Sequence, residues 1–136
     1  MISYTSKITV RYYETDQMGV VHHSNYIRYF ETGREEMMEH YGVPYVETER
    51  QGIIMPVHSV HCDYIFPAHY GEALSVVTRL EEIPRSRITF LYEIYNSSEV
   101  LLAKGSVVLA FVDRSSGRPV RAPRFLTEVI EKLLNL

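Results

Sequence analysis

The stretch "YYETDQMGVVHHSNYIRYFE", residues 12–31, changes its period part-way along, and that change decides the architecture. Leading into it, "KITVRYY" at 7–13 is rich in β-branched and aromatic residues with Ile8, Val10 and Tyr12 on one parity, which predicts a half-buried first strand. From Tyr26 onward the apolar positions Tyr26, Phe30, Gly33, Met37 and Tyr41 step by four and three, so they line one face of a helix. Glu31, Arg34, Glu35 and Glu39 fall beside that stripe or opposite it, and Gly42 followed by Pro44 supplies the stop. A helix of about 18 residues would run roughly 27 Å. Gly33 lies inside the apolar stripe, where glycine costs about 1 kcal/mol relative to alanine. A close approach of the helix backbone to a neighbouring element is expected there.

Beyond the helix, a helical turn fits "YVETERQ", and four strand-like segments follow at about 53–66, 73–83, 87–96 and 100–112. The connections "PAHYGE", "PRSR" and "NSSE" are short and turn-like, which makes neighbouring strands antiparallel. The last strand carries Leu101, Ala103, Gly105, Val107, Leu109 and Phe111 on one parity, with Leu102, Val108, Ala110 and Val112 on the other. Both faces of the sheet should then be partly covered, one by the long helix and the other by a partner subunit or the terminal helix. The tail "RFLTEVIEKLLNL" has helical spacing at Phe125, Val129, Leu133 and Leu136. The expected architecture is α+β: a single domain over 1–136 in which a five-stranded antiparallel sheet wraps one long helix, with a short C-terminal helix.

The 136 residues are 46% hydrophobic and 23% charged, the balance of a globular chain with a real core. A formal charge of −3 argues against non-specific binding to nucleic acid or to anionic lipid. The single cysteine, Cys62, allows no intrachain disulfide, and the N-terminal "MISYTSKITV" lacks the basic and long apolar regions of a signal peptide. The longest apolar run, "VVLAFV" at 107–112, is far short of the ~20 residues that cross a bilayer. These features predict a cytoplasmic protein without membrane insertion.

Several kinds of chemistry can be set aside on spacing. In "HSVHC" at 58–62, His58 and His61 have opposite parity on a strand, while His58 and Cys62 lie ~13 Å apart along it, so they cannot share a metal ion. No HExxH or paired CxxC is present. The serine of "KGSVV" lacks the second glycine of a nucleophile elbow and sits within a strand. Attention returns to the loop before the helix. Asp16 stands with Gly19 in a turn-like segment, and the amides of His22, His23 and Ser24 lie at the helix start. Unpaired amides there, with the positive end of the helix dipole, polarise a carbonyl oxygen, and a carboxylate close by can attack that carbonyl or activate water against it. The residues alone leave a second reading open, in which Asp16 merely caps the loop and both histidines are solvated.

The run "RYYETDQMGVVHHSNYIRYFETGREE" resembles the signature of hotdog-fold acyl-CoA thioesterases of the 4-hydroxybenzoyl-CoA thioesterase type, in particular the branch associated with the Tol-Pal cell-envelope system. That pattern is an aromatic pair, an acid, Thr-Asp, two variable residues, Gly-Val-Val, an aromatic, His, a small residue, Asn or Ser, Tyr, and later Glu-x-x-Arg. Here the elements are Tyr12, Tyr13, Glu14, Thr15, Asp16, Gly19, Val20, Val21, His22, His23, Ser24, Asn25, Tyr26, Glu31 and Arg34. His22 departs from the pattern, standing where the branch has an aromatic, and His23 holds the position of the family histidine.

The resemblance implies hydrolysis of an acyl-CoA to free acid and coenzyme A, without metal or redox cofactor. Asp16 would be nucleophile or general base, the His23 amide would polarise the carbonyl, the His23 side chain would orient water or the carboxylate, and Tyr12 would assist unless it simply packs on the strand. Gly19, Val21, Asn25 and Tyr26 are the matched positions expected to contact substrate. The phosphates of coenzyme A require a basic patch, for which residues 113–124 offer four arginines against one aspartate, while Arg85, Ser86 and Arg87 form a turn that adds to it. Proteins of this resemblance build their sites between subunits, so a homo-oligomer is expected, dimer or tetramer, with the tetramer favoured. The rival functions are a hydratase or dehydratase on the same fold, with Asp16 and His23 moving protons, and a non-catalytic acyl-CoA binding module.

Overall fold

The computed structural model describes residues 1–135. In chain order it contains β1 (Ile2–Thr9), a 3-10 turn at Tyr12–Glu14, α1 (Ser24–His40), α2 (Tyr45–Arg50), β2 (Ile53–Ile54), β3 (Val57–Tyr64), β4 (Ala73–Leu80), β5 (Arg87–Tyr95), β6 (Leu101–Ala110), β7 (Val112–Asp113) and α3 (Arg124–Leu134). The five long strands form one antiparallel sheet in the order β1-β4-β5-β6-β3, and β2 pairs with β7 beside it. No helix among the described residues is long and apolar enough to cross a membrane.

Alternation along the central strands sends Leu74, Val76, Thr78 and Leu80 of β4 and Ile88, Phe90, Tyr92 and Ile94 of β5 into the core. On to this face α1 lays Tyr26, Tyr29, Phe30, Gly33, Met37 and Met38, and Phe30 stacks on Tyr92 with ring centroids 4.2 Å apart. At Gly33 helix and sheet come close together. A Cβ there would collide with Thr78 Oγ1 and lie 3.2 Å from Val76 Cγ1, so the expected close approach is real.

Several expectations change. The first strand runs over Ile2–Thr9, paired residue for residue with β4 from Ile2↔Leu80 to Thr9↔Ala73, and not over 7–13. Its Ser and Thr residues dilute the apolar signal although Ser6 is buried, and after Val10 the chain leaves the sheet, so Tyr12 sits in the 3-10 turn. The segment expected as one strand over 53–66 is two, because Pro56 has no N–H to give a ladder. Arg34, expected at or beyond the edge of the helical stripe, is buried at 6% exposure. Leu102, expected on the outer parity of the last strand, is also buried. The register slips where Ile94 pairs with Ala103 and Tyr95 with Leu101, leaving Leu102 as the extra residue of a bulge.

The terminal helix does not cover the outer face of the sheet. It packs against β1 on the side of α1, and its Val129, Ile130 and Leu133 line a small cavity with Ile2, Met37, Met38 and Leu80. Its buried residues are Leu126 and Ile130, with Phe125, Val129 and Leu133 flanking, and Leu136 lies outside the described residues. β3 is left as an edge strand whose residues are exposed except for Cys62.

Candidate active site

Glu14 organises the loop that leads into α1. Its carbonyl accepts the His22 N–H at 2.8 Å and the Asn25 Nδ2–H at 2.9 Å, while its carboxylate accepts the Arg11 N–H at 2.8 Å and the Tyr29 hydroxyl at 3.0 Å. The phenol of Tyr29 is pushed above its ordinary range by burial first and by the Glu14 carboxylate second, so it stays a donor. Bridges Thr15↔Val21 and Val20↔His69, with the Val21 N–H on the Ala68 carbonyl at 2.9 Å, tie the loop to the segment before β4. Gly19 takes φ +79° so that its N–H can turn back to the Asp16 carbonyl.

Within this frame one carboxylate oxygen of Asp16, Oδ1, accepts the Met18 N–H at 2.8 Å and a longer contact from the Val20 N–H at 3.4 Å. Oδ2 has no partner among the described residues. The helix start gives a matching asymmetry. The amide of His22 is spent on Glu14 and that of Ser24 on His22 Nδ1 at 3.3 Å, whereas the amide of His23 has no acceptor among the described residues. It lies at the N-terminal end of a 17-residue helix, where the dipole places about half a positive charge. Tyr64 braces this point from β3, its hydroxyl donating to the His23 carbonyl at 3.0 Å. That phenol is pushed up to about 12, by burial and then by Cys62, so it remains protonated at ordinary pH.

Asp16, Val21, His23 and Tyr26 line one groove of about 310 Å³ together with Met18, Tyr64 and Phe66. The two histidine rings lie 4.1 Å apart, tilted at 32°, but that of His22 is tied to Ser24 Oγ at 2.8 Å and does not line this groove. Asp16 also borders a second, open groove with Tyr12, Tyr13, Gly19 and Tyr70. Tyr12 does not pack on a strand: it is 75% exposed and meets the edge of Tyr70 at 5.6 Å. Asn25 is buried, and its amide is used on backbone carbonyls. Tyr26 accepts the Ala68 N–H at 3.3 Å while its ring faces the groove.

Arg85, Ser86 and Arg87 are not brought to this place. The Asp16 loop joins the chain just before β4, whereas those residues follow its far end, about 26 Å away for an eight-residue strand. Residues 111–122 lie at that same far end, held by Phe111 N–H to the Ser86 carbonyl and Ala122 N–H to the Arg85 carbonyl. Glu14 and Tyr64 are the supporting residues that spacing did not single out. The sequence signal for Glu14 is its place as the acid of the matched pattern, two residues before Asp16, and for Tyr64 there is none beyond its place on a strand.

The family model described as the Thioesterase-like superfamily matches residues 10–131. This chain belongs to that superfamily. Its fold is the hotdog, an α+β arrangement of one long helix against a five-stranded antiparallel sheet. The crystal structure of DHNA-CoA thioesterase from Staphylococcus aureus superposes with a TM-score of 0.93 at 34% identity, covering 100% of this chain and 93% of that one. Among curated relatives, YneP of Bacillus subtilis is 36% identical over 115 residues, 85% of this chain and 83% of YneP. Acyl-CoA thioesterase YbgC of Helicobacter pylori is 26% identical over 132 residues, 91% of this chain and 97% of YbgC.

Proposed function

We propose that this superfamily member hydrolyses an acyl-CoA thioester to the free acid and coenzyme A. One observation carries the reading: a carboxylate with a free oxygen and an unpartnered helix-terminal amide border the same groove. The thioester carbonyl oxygen sits on the His23 amide, which stabilises the negative charge that develops as the carbonyl carbon becomes tetrahedral. Asp16 either attacks that carbon or removes a proton from a water that does. On the first route the C–S bond breaks, the thiolate leaves and is protonated, and water then cleaves the mixed anhydride. On the second, water adds directly. Each consumes one water and yields one acid and one thiol. His23 orients the water or the carboxylate, and Tyr12 assists from the neighbouring groove. The acyl-CoA thioesterase name of YbgC and the DHNA-CoA thioesterase name of the Staphylococcus aureus protein support this substrate class.

The site is shared between two copies. β3 is an open edge, and antiparallel pairing of two such edges about a twofold would set the Tyr64 end of one copy against the Val57 end of the other. The arginine-bearing end of one subunit, with Arg85, Arg87, Arg114, Arg118 and Arg121, then approaches the Asp16 groove of its partner, where the phosphates of coenzyme A need cations. Substrate contacts from Gly19, Val21, Asn25, Tyr26 and Ser86 belong to the same proposal, as does a tetramer made of two such pairs. The test is thiol release from a panel of acyl-CoAs differing in chain length and aromatic character. Release with free acid as co-product is expected. Conversion of an enoyl-CoA to its hydroxyacyl-CoA without thiol release would make the protein a hydratase.

A further inference from the structure

The open edge of β3 carries enough information to say how a second copy would sit on it. The Ile65 N–H donates to the Leu102 carbonyl at 2.8 Å, so by alternation His61 and Asp63 turn their backbone groups toward β6, and those of Val60, Cys62 and Tyr64 point out of the sheet. The side chains alternate too. Val60, Cys62 and Tyr64 stand opposite Val107, Gly105 and Ala103 on the core side, whereas Ser59, His61 and Asp63 stand opposite Val108, Ser106 and Lys104 on the outer face. Such an edge is a template for one more strand.

Two identical strands lie side by side and antiparallel only about a twofold perpendicular to the sheet, which keeps each face on its own side. Opposed residues must then share a face, so the axis passes beside a residue that meets its own copy. An axis at Asp63 sets two carboxylates against each other. One at His61 brings two imidazoles together and leaves Asp63 across from the partner's Ser59, and one at Val60 sets Cys62 against the partner's irregularity between Val57 and Ser59. An axis at Cys62 sets His61 across from the partner's Asp63 and Val60 across from the partner's Tyr64, each twice. That register alone matches opposite charges on the outer face and apolar groups on the core side. The two polar side chains suit each other already within one chain, His61 Nε2 lying 3.1 Å from Asp63 Oδ1 with exposures of 66% and 51%. Lys104, opposite Asp63, is itself faced by Glu93 on β5.

We infer that two copies join through β3 with the twofold at Cys62, so that each subunit completes the other's groove wall. The inference rests on the shared-site reading. Tyr64, whose hydroxyl holds the His23 carbonyl, forms that wall with Ile65 and Phe66, and within one chain these three are 49%, 42% and 57% exposed. In this register the partner's Val60 covers Tyr64, and the partner's chain at His58 runs alongside Phe66.

Cys62 is the only cysteine, so any disulfide-linked dimer joins it to its own copy. Opposed residues of a hydrogen-bonded pair have Cα atoms about 5.5 Å apart, within disulfide range. The full chain is treated with diamide across a protein dilution series, beside His61→Cys and Val60→Cys, each in a Cys62→Ser background. In the inferred register these two positions stand roughly 8 Å and 14 Å from their own copies. The unaltered protein should link fastest, at a rate independent of protein concentration, and Val60→Cys slowest. As a second arm, His61→Asp and Asp63→Lys should each weaken its own dimer by about tenfold and regain dimer when mixed, because the mixture restores opposite charges at both pairs. Fastest linking at position 60 or 61, linking proportional to concentration, or a mixture no tighter than either variant alone overturns the register and leaves the thioesterase reading to its own assay. A protein that stays monomeric at every concentration removes the shared site as well.

Discussion

Replacing Gly33 by Ala sets two known effects against each other. In isolation the change favours a helix by about 1 kcal/mol. In this protein the new Cβ would collide with Thr78 Oγ1 and lie 3.2 Å from Val76 Cγ1 and 3.5 Å from Tyr92 Cε1. Thr78 is fully buried on β4, which is hydrogen-bonded on both sides, and a β-branched side chain has little freedom at χ1. Forcing extra volume into such a place costs about 1–3 kcal/mol. The net expectation is a loss of about 1 kcal/mol despite the better helix former. Thr78→Ala removes the colliding oxygen, and in that background Gly33→Ala should become neutral or stabilising, a favourable coupling of about 1–3 kcal/mol in the double-mutant cycle. Urea midpoints of the four proteins, taken at one protein concentration because an oligomer's stability depends on it, give the answer. A gain of the full ~1 kcal/mol from Gly33→Ala alone would refute the close approach of α1 to β4.

His23→Ala should lower kcat more than His22→Ala, because only the His23 ring lines the groove with Asp16; a larger defect for His22→Ala would exchange their roles. Tyr26, Tyr29 and Tyr92 all have phenols raised by burial, so the folded state keeps protons that the unfolded chain loses above pH 10. The stability present below pH 10 should therefore fall as pH rises, by about 1.4 kcal/mol per unit for each such tyrosine. Phenolate absorbance should show these residues ionising only with unfolding; ionisation of all 11 tyrosines near pH 10 in the folded protein would contradict it. Light scattering across a dilution series, with turnover read in parallel, should find activity confined to species larger than the 15.8 kDa monomer. A fully active monomer would exclude the shared site.

The long helix was legible because its stripe of Tyr26, Phe30, Gly33 and Met37 reports burial directly, and the strands because turn-like connections separate them. Legibility failed where a residue's place depends on a partner remote in sequence. Ile2–Thr9 is a strand because β4 offers it a ladder, and its Ser and Thr residues give no apolar alternation. The bulge that buries Leu102 comes from a slip against β5. Arg34 looks like a surface charge until α2 folds over it. At the candidate site, Asp16, Gly19 and His23 could be found because the chemistry sits within eight residues before a helix. The role of Glu14, gathering four donors, and that of Tyr64, reaching back 41 residues to a carbonyl, could not. The remoteness of Arg85 and Arg87 from Asp16 within one chain also emerges only from the sheet order.

The most direct test of the account is single-turnover thiol release by Asp16→Asn. Asparagine keeps the shape of the side chain, and its oxygen can still accept the Met18 and Val20 amides, so the loop and substrate binding should persist. What is lost is the negative charge that attacks the thioester or takes a proton from water. Turnover should fall at least ~100-fold with substrate affinity little changed. A folded Asp16→Asn protein releasing thiol at the rate of the unaltered enzyme would contradict the assignment of Asp16.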